Sequence, residues 1–160
     1  MLRVSLVCVG HLKAGPEREL AARYLDRAAS AGRGIGLAFE LRELAEAQGR
    51  RPESRKLEEA KAIRAAIGPA TTLLALDERG AQIDSVAFAG LFAALRDDGV
   101  QTAALVIGGP DGLDQELRRS ARAAIAFGAM TWPHQLVRIM AAEQLYRAVT
   151  ILAAHPYHRA

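Results

Sequence analysis

The chain has 160 residues, 51% hydrophobic and 24% charged, with a net charge of +3. These values suit one globular domain and exclude a disordered chain. No apolar run reaches the ~20 uninterrupted residues of a membrane span, since the nearest candidate, 136–154, is broken by Arg138, Glu143 and Arg147.

Residues 2–9 read as a strand. The start lacks a basic leader and a small-residue cleavage site, so a cytoplasmic protein is expected. Cys8, the one cysteine, sits mid-strand and reads as a buried structural thiol rather than a nucleophile. It excludes an internal disulfide, and with four histidines it makes no zinc-ligand spacing. Pro16-Glu17 opens a helix to about Ser30, with acids in its first turn and Leu20, Tyr24 and Leu25 on one face. Gly32 and Gly34 are expected to end it. Residues 36–43 read as a second strand, and 49–52 as a polar, Arg-rich loop. A helix follows over 53–67, with Glu53, Lys56, Glu58, Glu59 and Lys61 expected in solvent and Leu57, Ile63 and Ile67 facing inward. Gly68-Pro69 stops it. Residues 71–76 read as a buried strand, Ser85 as the cap of a helix over 86–97, and 101–107 as another buried strand. Asp114 caps a short helix through Arg122, 124–127 is a short last strand, and a long helix starts at Pro133 or His134 and runs to about Ala153. Continuous apolar strands between helices predict a Rossmann-like α/β domain, a parallel sheet covered on both faces, over residues 1–160 without a linker.

All of the basic excess lies in residues 1–80, and 18 of the 21 basic side chains are arginine. That permits an RNA partner without demanding one, because a codon bias explains the arginines as well.

Four segments carry chemistry. Val106-Ile107-Gly108-Gly109-Pro110-Asp111-Gly112-Leu113 follows a buried strand, where open α/β sheets bind ligands and glycines let a ligand approach the backbone. Its spacing is neither the dinucleotide fingerprint nor a Walker loop, and a plain turn explains it equally. Phe127-Gly128-Ala129-Met130-Thr131-Trp132-Pro133-His134 runs from a strand end into a helix. It either cups an adenine or simply packs Trp132 into the core. The helix 134–153 is apolar nearly all round, more than a chain this small can cover, which points to a subunit interface. Its Glu143 and Arg147 stand at the spacing of an intrahelical pair. The tail His155-Pro156-Tyr157-His158-Arg159 is either a frayed polar end or a set of groups for proton transfer, stacking and phosphate contact.

Together with Leu76-Asp77-Glu78-Arg79-Gly80, Thr131-Trp132-Pro133-His134-Gln135-Leu136-Val137-Arg138 and Glu143-Gln144-Leu145-Tyr146-Arg147-Ala148, these segments resemble the RlmH family, in order and spacing, over essentially the whole chain. Val7-Cys8-Val9-Gly10 resembles the family's first strand and turn. The family is of the SPOUT class, so the resemblance implies a C-terminal deep trefoil knot. It also implies a homodimer that binds S-adenosylmethionine and methylates N3 of a pseudouridine in 23S rRNA on the assembled ribosome, with no metal. Carried over residue by residue, the cofactor would touch Leu76, Gly109, Gly128, Ala129, Met130, Thr131, Trp132 and Pro133. Tyr157, His158 and Arg159 would serve the substrate, with help from the partner subunit. Gln135, Ala81 and Asp84 depart from the family pattern, which often has proline, lysine and serine there. Attack by a nitrogen needs no cysteine nucleophile, which agrees with the single Cys8. A cofactor-binding α/β enzyme without an RNA substrate lacks support from the absent dinucleotide fingerprint. A non-catalytic ribosome-binding factor would not require the glycine loop and tail.

Overall fold

The computed structural model describes residues 1–159; Ala160, the end of the tail, lies outside the described residues. The elements follow in strict alternation: β1 (Leu2–Val9), α1 (Pro16–Gly32), β2 (Leu37–Leu44), α2 (Pro52–Ile67), β3 (Thr72–Gln82), α3 (Ser85–Asp97), β4 (Thr102–Ile107), α4 (Gln115–Ser120), β5 (Ala123–Ala126) and α5 (His134–Leu152). A 3-10 turn, Arg33–Ile35, joins α1 to β2, so Gly32 closes α1 from inside the helix and Gly34 lies beyond it. The sheet is five-stranded in the order β2-β1-β4-β3-β5, and every pairing is parallel, as expected.

Alternate side chains of each strand serve two cores. Leu2, Val4, Leu6 and Cys8 of β1 join Leu74, Leu76, Leu105 and Ile107 beneath α1, α3 and α5. Val7 and Val9 join Ala75, Ala104, Val106, Ala60, Ile63 and Leu117 beneath α2 and α4. This double coverage is why the central strands are apolar without interruption. The edge strand β2 instead exposes Glu40, Leu41 and Arg42, and charges on an edge discourage pairing with another chain.

Three local expectations are corrected. β3 does not stop at Leu76 but continues to Gln82, shifting register against β5 between Leu76 and Ala81. Gly80 makes that passage possible, because a Cβ there would meet the backbone N of Ile125 at 2.5 Å and the carbonyl carbon of Ala124 at 2.6 Å. The cap of α3 is Asp84, whose carboxylate accepts from the Ala87 N–H at 2.8 Å. Ser85 instead donates to Gln144 Oε1 at 2.9 Å, tying α3 to α5. On α2, Glu59 is buried and Leu57 is 48% exposed, the reverse of the expectation. The buried stripe is Glu59, Ala60 and Ile63, and Leu57 stands roughly 120° round the helix from Ile63 at 3.6 residues per turn.

The helix α5 is less naked than its composition implies. Arg138, Ala141, Ala142, Leu145, Ala148, Val149 and Thr150 are buried by the chain itself, with α1 and α3 packed against it. The premise that one chain cannot cover this helix therefore fails in large part. Leu136 stays 42% exposed. Among the described residues, no helix is long and apolar enough to cross a membrane.

Candidate active site

A cleft of about 490 Å³ opens at the carboxyl ends of β4 and β5, beside Leu76–Arg79 of β3, where β3 stops pairing with β4. Its size is that of a small-molecule site. The glycine loop forms one wall. Gly112 N–H donates to Gly109 O at 2.9 Å, closing a turn with Pro110 at its second position and Gly112, φ 84°, at its fourth. Beneath the loop lies Glu59. A Cβ on Gly109 would sit 3.2 Å from Val9 Cγ1 and 3.4 Å from Glu59 Oε1, so an added side chain would point at buried groups under the loop. The loop is also held from the side. Arg55 donates to both carboxylate oxygens of Asp111, from Nε at 2.7 Å and from one terminal nitrogen at 3.0 Å. This pair holds the Asp111 carboxyl below its ordinary range, chiefly through that hydrogen bond.

Six of the eight residues expected at the cofactor line this cleft: Leu76, Gly109, Gly128, Met130, Thr131 and Trp132. Ala129 and Pro133 belong to the same loop but do not line it. Trp132 is 41% exposed, with its indole N–H bonded to Phe127 O at 3.0 Å, so it is not packed into the core. Met130 is 74% exposed at the rim.

The cleft also contains side chains that sequence reasoning did not assign to it. Asp77 and Arg79 lie in it paired at 3.3 Å, beyond the point where β3 was expected to end. His134 lines it from the first residue of α5, and burial, with a smaller effect from the Arg138 charge, lowers its pKa. Nε2 of His134 is buried without a hydrogen-bond partner among the described residues. The Pro-His motif in a strand-to-helix loop was the available signal for His134; Asp77 and Arg79 stood in the segment Leu76–Gly80 that carries the resemblance, but only Leu76 of it was assigned to the cofactor.

Tyr157 and His158 of the tail pack on α5, away from the cleft. Tyr157 hydroxyl donates to Glu143 Oε1 at 3.0 Å, and its ring lies 4.7 Å from Tyr146 and 4.8 Å from the Arg147 guanidinium. Arg147 and Glu143 form the expected pair at 2.7 Å, and Arg147 reaches His158 Nδ1 at 3.3 Å. Burial, then the Glu143 contact, pushes the Tyr157 phenol up to about 12, so it is a donor at neutral pH. Arg159 is exposed. From His134 at the cleft to Arg147 beside His158 is about 20 Å along α5, at 1.5 Å per residue. One chain therefore keeps its tail cluster and its cleft apart. Cys8 lies buried, and burial pushes its thiol up to about 12, which suits an inert core residue.

Comparison with known proteins agrees with this architecture. The family model described as a predicted SPOUT methyltransferase matches residues 2–158. A ribosomal RNA large subunit methyltransferase H of Beijerinckia indica is 56% identical over 99% of this chain and 100% of its own length. One of Rhizobium meliloti is 54% identical over 99% and 100%. Among solved structures, a probable methylase family protein of Haemophilus influenzae superposes with a TM-score of 0.52 at 13% identity, over 99% of this chain and 70% of its own, which speaks to the fold alone. The chain belongs to the SPOUT methyltransferase family.

Proposed function

We propose that the protein is a large-subunit ribosomal RNA methyltransferase that uses S-adenosylmethionine to methylate N3 of a pseudouridine in 23S rRNA, acting on the assembled ribosome as a cytoplasmic homodimer. The observation that carries this reading is likeness over essentially full length to ribosomal RNA large subunit methyltransferases H, at 54–56% identity, in a chain whose strand ends open into a glycine-walled cleft.

The cleft suits the cofactor. Leu76, Ile107, Ile125 and Val137 offer apolar surface, Met130 and Trp132 a rim for a flat base, and the glycine loop an approach to backbone groups. Bound there, S-adenosylmethionine supplies a methyl group activated by a sulfonium charge. The remaining work is alignment of the acceptor nitrogen and care of its proton. His158 is the candidate to receive that proton, Arg159 to steady the developing oxyanion or a phosphate, and Tyr157 to donate to or pack on the base. Ala129 and Pro133, in the same loop, are kept as cofactor contacts beside the six residues that line the cleft. The separation of tail and cleft along α5 supports a composite site, in which the tail of one copy serves the cleft of another.

The test is mass spectrometry of 23S rRNA from cells with and without the gene, paired with calorimetry of the pure protein against S-adenosylmethionine. Loss of one N3-methylpseudouridine and a measurable affinity are expected. An unchanged modification profile would overturn the substrate, and the absence of binding would overturn the cofactor.

A further inference from the structure

The loop 45–51, between β2 and α2, carries Arg50 and Arg51 side by side, both exposed and neither in an ion pair among the described residues. Their basic neighbours are engaged: Lys56 with Glu53 at 3.1 Å, and Arg55 with Asp111 at 2.7 Å. The loop is tied down at three points. Ala47 N–H donates to Glu59 Oε2 at 3.0 Å, and one terminal nitrogen of Arg55 donates to Gly49 O at 2.9 Å and to Arg50 O at 3.2 Å. The other two nitrogens of the same guanidinium hold Asp111 in the glycine loop. One planar side chain thus spans from the carbonyl of Arg50 to the wall of the cleft. Only the five-donor fork of arginine can satisfy a carboxylate and two carbonyls at once.

We propose that Arg50 and Arg51 form an arm that grips RNA phosphates beside the cleft, and that Arg55 couples this arm to the glycine loop, so that RNA contact and cofactor binding support each other. The proposal rests on the function proposed above and names a further contact for the same substrate. Two adjacent unpaired guanidiniums on a backbone already fixed by hydrogen bonds present positive charge with little ordering left to do on binding. In a chain of net charge +3, a fixed pair of this kind matters more than a diffuse field. Because Arg55 bonds the loop's carbonyls and the cleft's Asp111 together, movement at either end is felt at the other.

The experiment uses the full-length protein with Arg50→Ala/Arg51→Ala together, and separately Arg55→Ala and Arg55→Lys, each checked by melting temperature. Calorimetry measures S-adenosylmethionine affinity. Methylation of ribosomes across a salt series gives kcat and KM, and filter binding measures protein-free 23S rRNA. For the double variant, cofactor affinity stays at the wild-type value while KM for ribosomes rises about three- to tenfold. The slope of log affinity against log salt falls by about two on both ribosomes and protein-free rRNA, as loss of two phosphate contacts requires. Arg55→Ala weakens cofactor binding and raises KM for ribosomes together, and Arg55→Lys restores neither, because a single ammonium cannot bridge both loops. A double variant with unchanged KM and salt slope overturns the arm. A defect on ribosomes that is absent on protein-free rRNA assigns the arginines to an acidic ribosomal protein and also overturns it. An Arg55→Ala effect on one ligand alone overturns the coupling. A wild-type protein that binds no S-adenosylmethionine or leaves ribosomes unmethylated removes the underlying function itself, and that result is read from the wild type alone.

Discussion

Glu59 stands on a helix whose charged pattern assigns it to solvent, yet it is 4% exposed. Its Oε2 has the Ala47 amide, and its Oε1 is buried without a partner among the described residues. Burial raises its pKa above the usual carboxylate range; the Ala47 N–H opposes this, and the Asp111 and Glu46 charges add to it. A carboxyl raised in the folded state favours folding below its unfolded pKa, and that contribution is lost as pH rises through the folded one. Glu59→Gln should therefore gain in melting temperature relative to wild type as pH goes from about 4 to about 8 across and beyond the carboxylate range. A difference constant with pH would mean that Glu59 titrates as in an unfolded chain. Gly109, directly above it, has room for a side chain only at the expense of Val9 and Glu59. Gly109→Val should lift the loop rather than fill the cleft. We expect a fall in stability of about 1–3 kcal/mol from overpacking, and loss of S-adenosylmethionine affinity by more than about tenfold, or 1.4 kcal/mol, by calorimetry. Normal binding would move the cofactor site elsewhere.

At the scale of elements, α5 links the sheet, the cleft and the tail. Arg138 appears in the sequence as an interruption of an apolar stretch. In the fold it is 2% exposed, bonded to Glu43 Oε2 at 2.6 Å and to the Gly10 carbonyl, and so anchors α5 to the ends of β1 and β2. Removing one partner of such a pair strands a charge. Arg138→Ala should cost about 3–5 kcal/mol, read as a lowered midpoint in denaturant unfolding; an unchanged midpoint would make the pair dispensable. The tail depends on α5 in a different way. It packs against Tyr146 and Arg147 at the molecule's surface, so deleting residues 157–160 removes little core. The truncated protein should fold and bind S-adenosylmethionine as the full chain does, yet fail to methylate ribosomes, the outcome that the roles proposed for His158 and Arg159 on the bound base require. Full activity would reduce the tail to packing, and joint loss of folding and binding would make it structural.

For the whole molecule, a cleft and a tail cluster about 20 Å apart along one helix require a second copy if they are to meet. Light scattering at micromolar concentration should give twice the chain mass. Mixing a Gly109→Val chain with a tail-deleted chain should restore part of the methylation that each lacks, since one mixed dimer retains an intact cleft and an intact tail. A monomer, or no recovery on mixing, would contradict the composite site. The alternation of strands and helices, the parallel sheet and the glycine loop at a strand end were all legible from the sequence, because each follows from local periodicity and punctuation. Family resemblance added the SPOUT knot, which periodicity cannot reveal. Six cleft residues were legible through the same resemblance, five of them within two short motifs and Leu76 at a strand end. Asp77 and Arg79 were not, because β3 outruns its apolar stretch by pairing with β5, a strand some forty residues away in sequence. Glu59 and Arg138 likewise look like solvated charges in any local window. Only the tertiary structure buries them, because burial of a charge is decided by what the rest of the chain brings against it: a loop amide for Glu59, and Glu43 with the Gly10 carbonyl for Arg138.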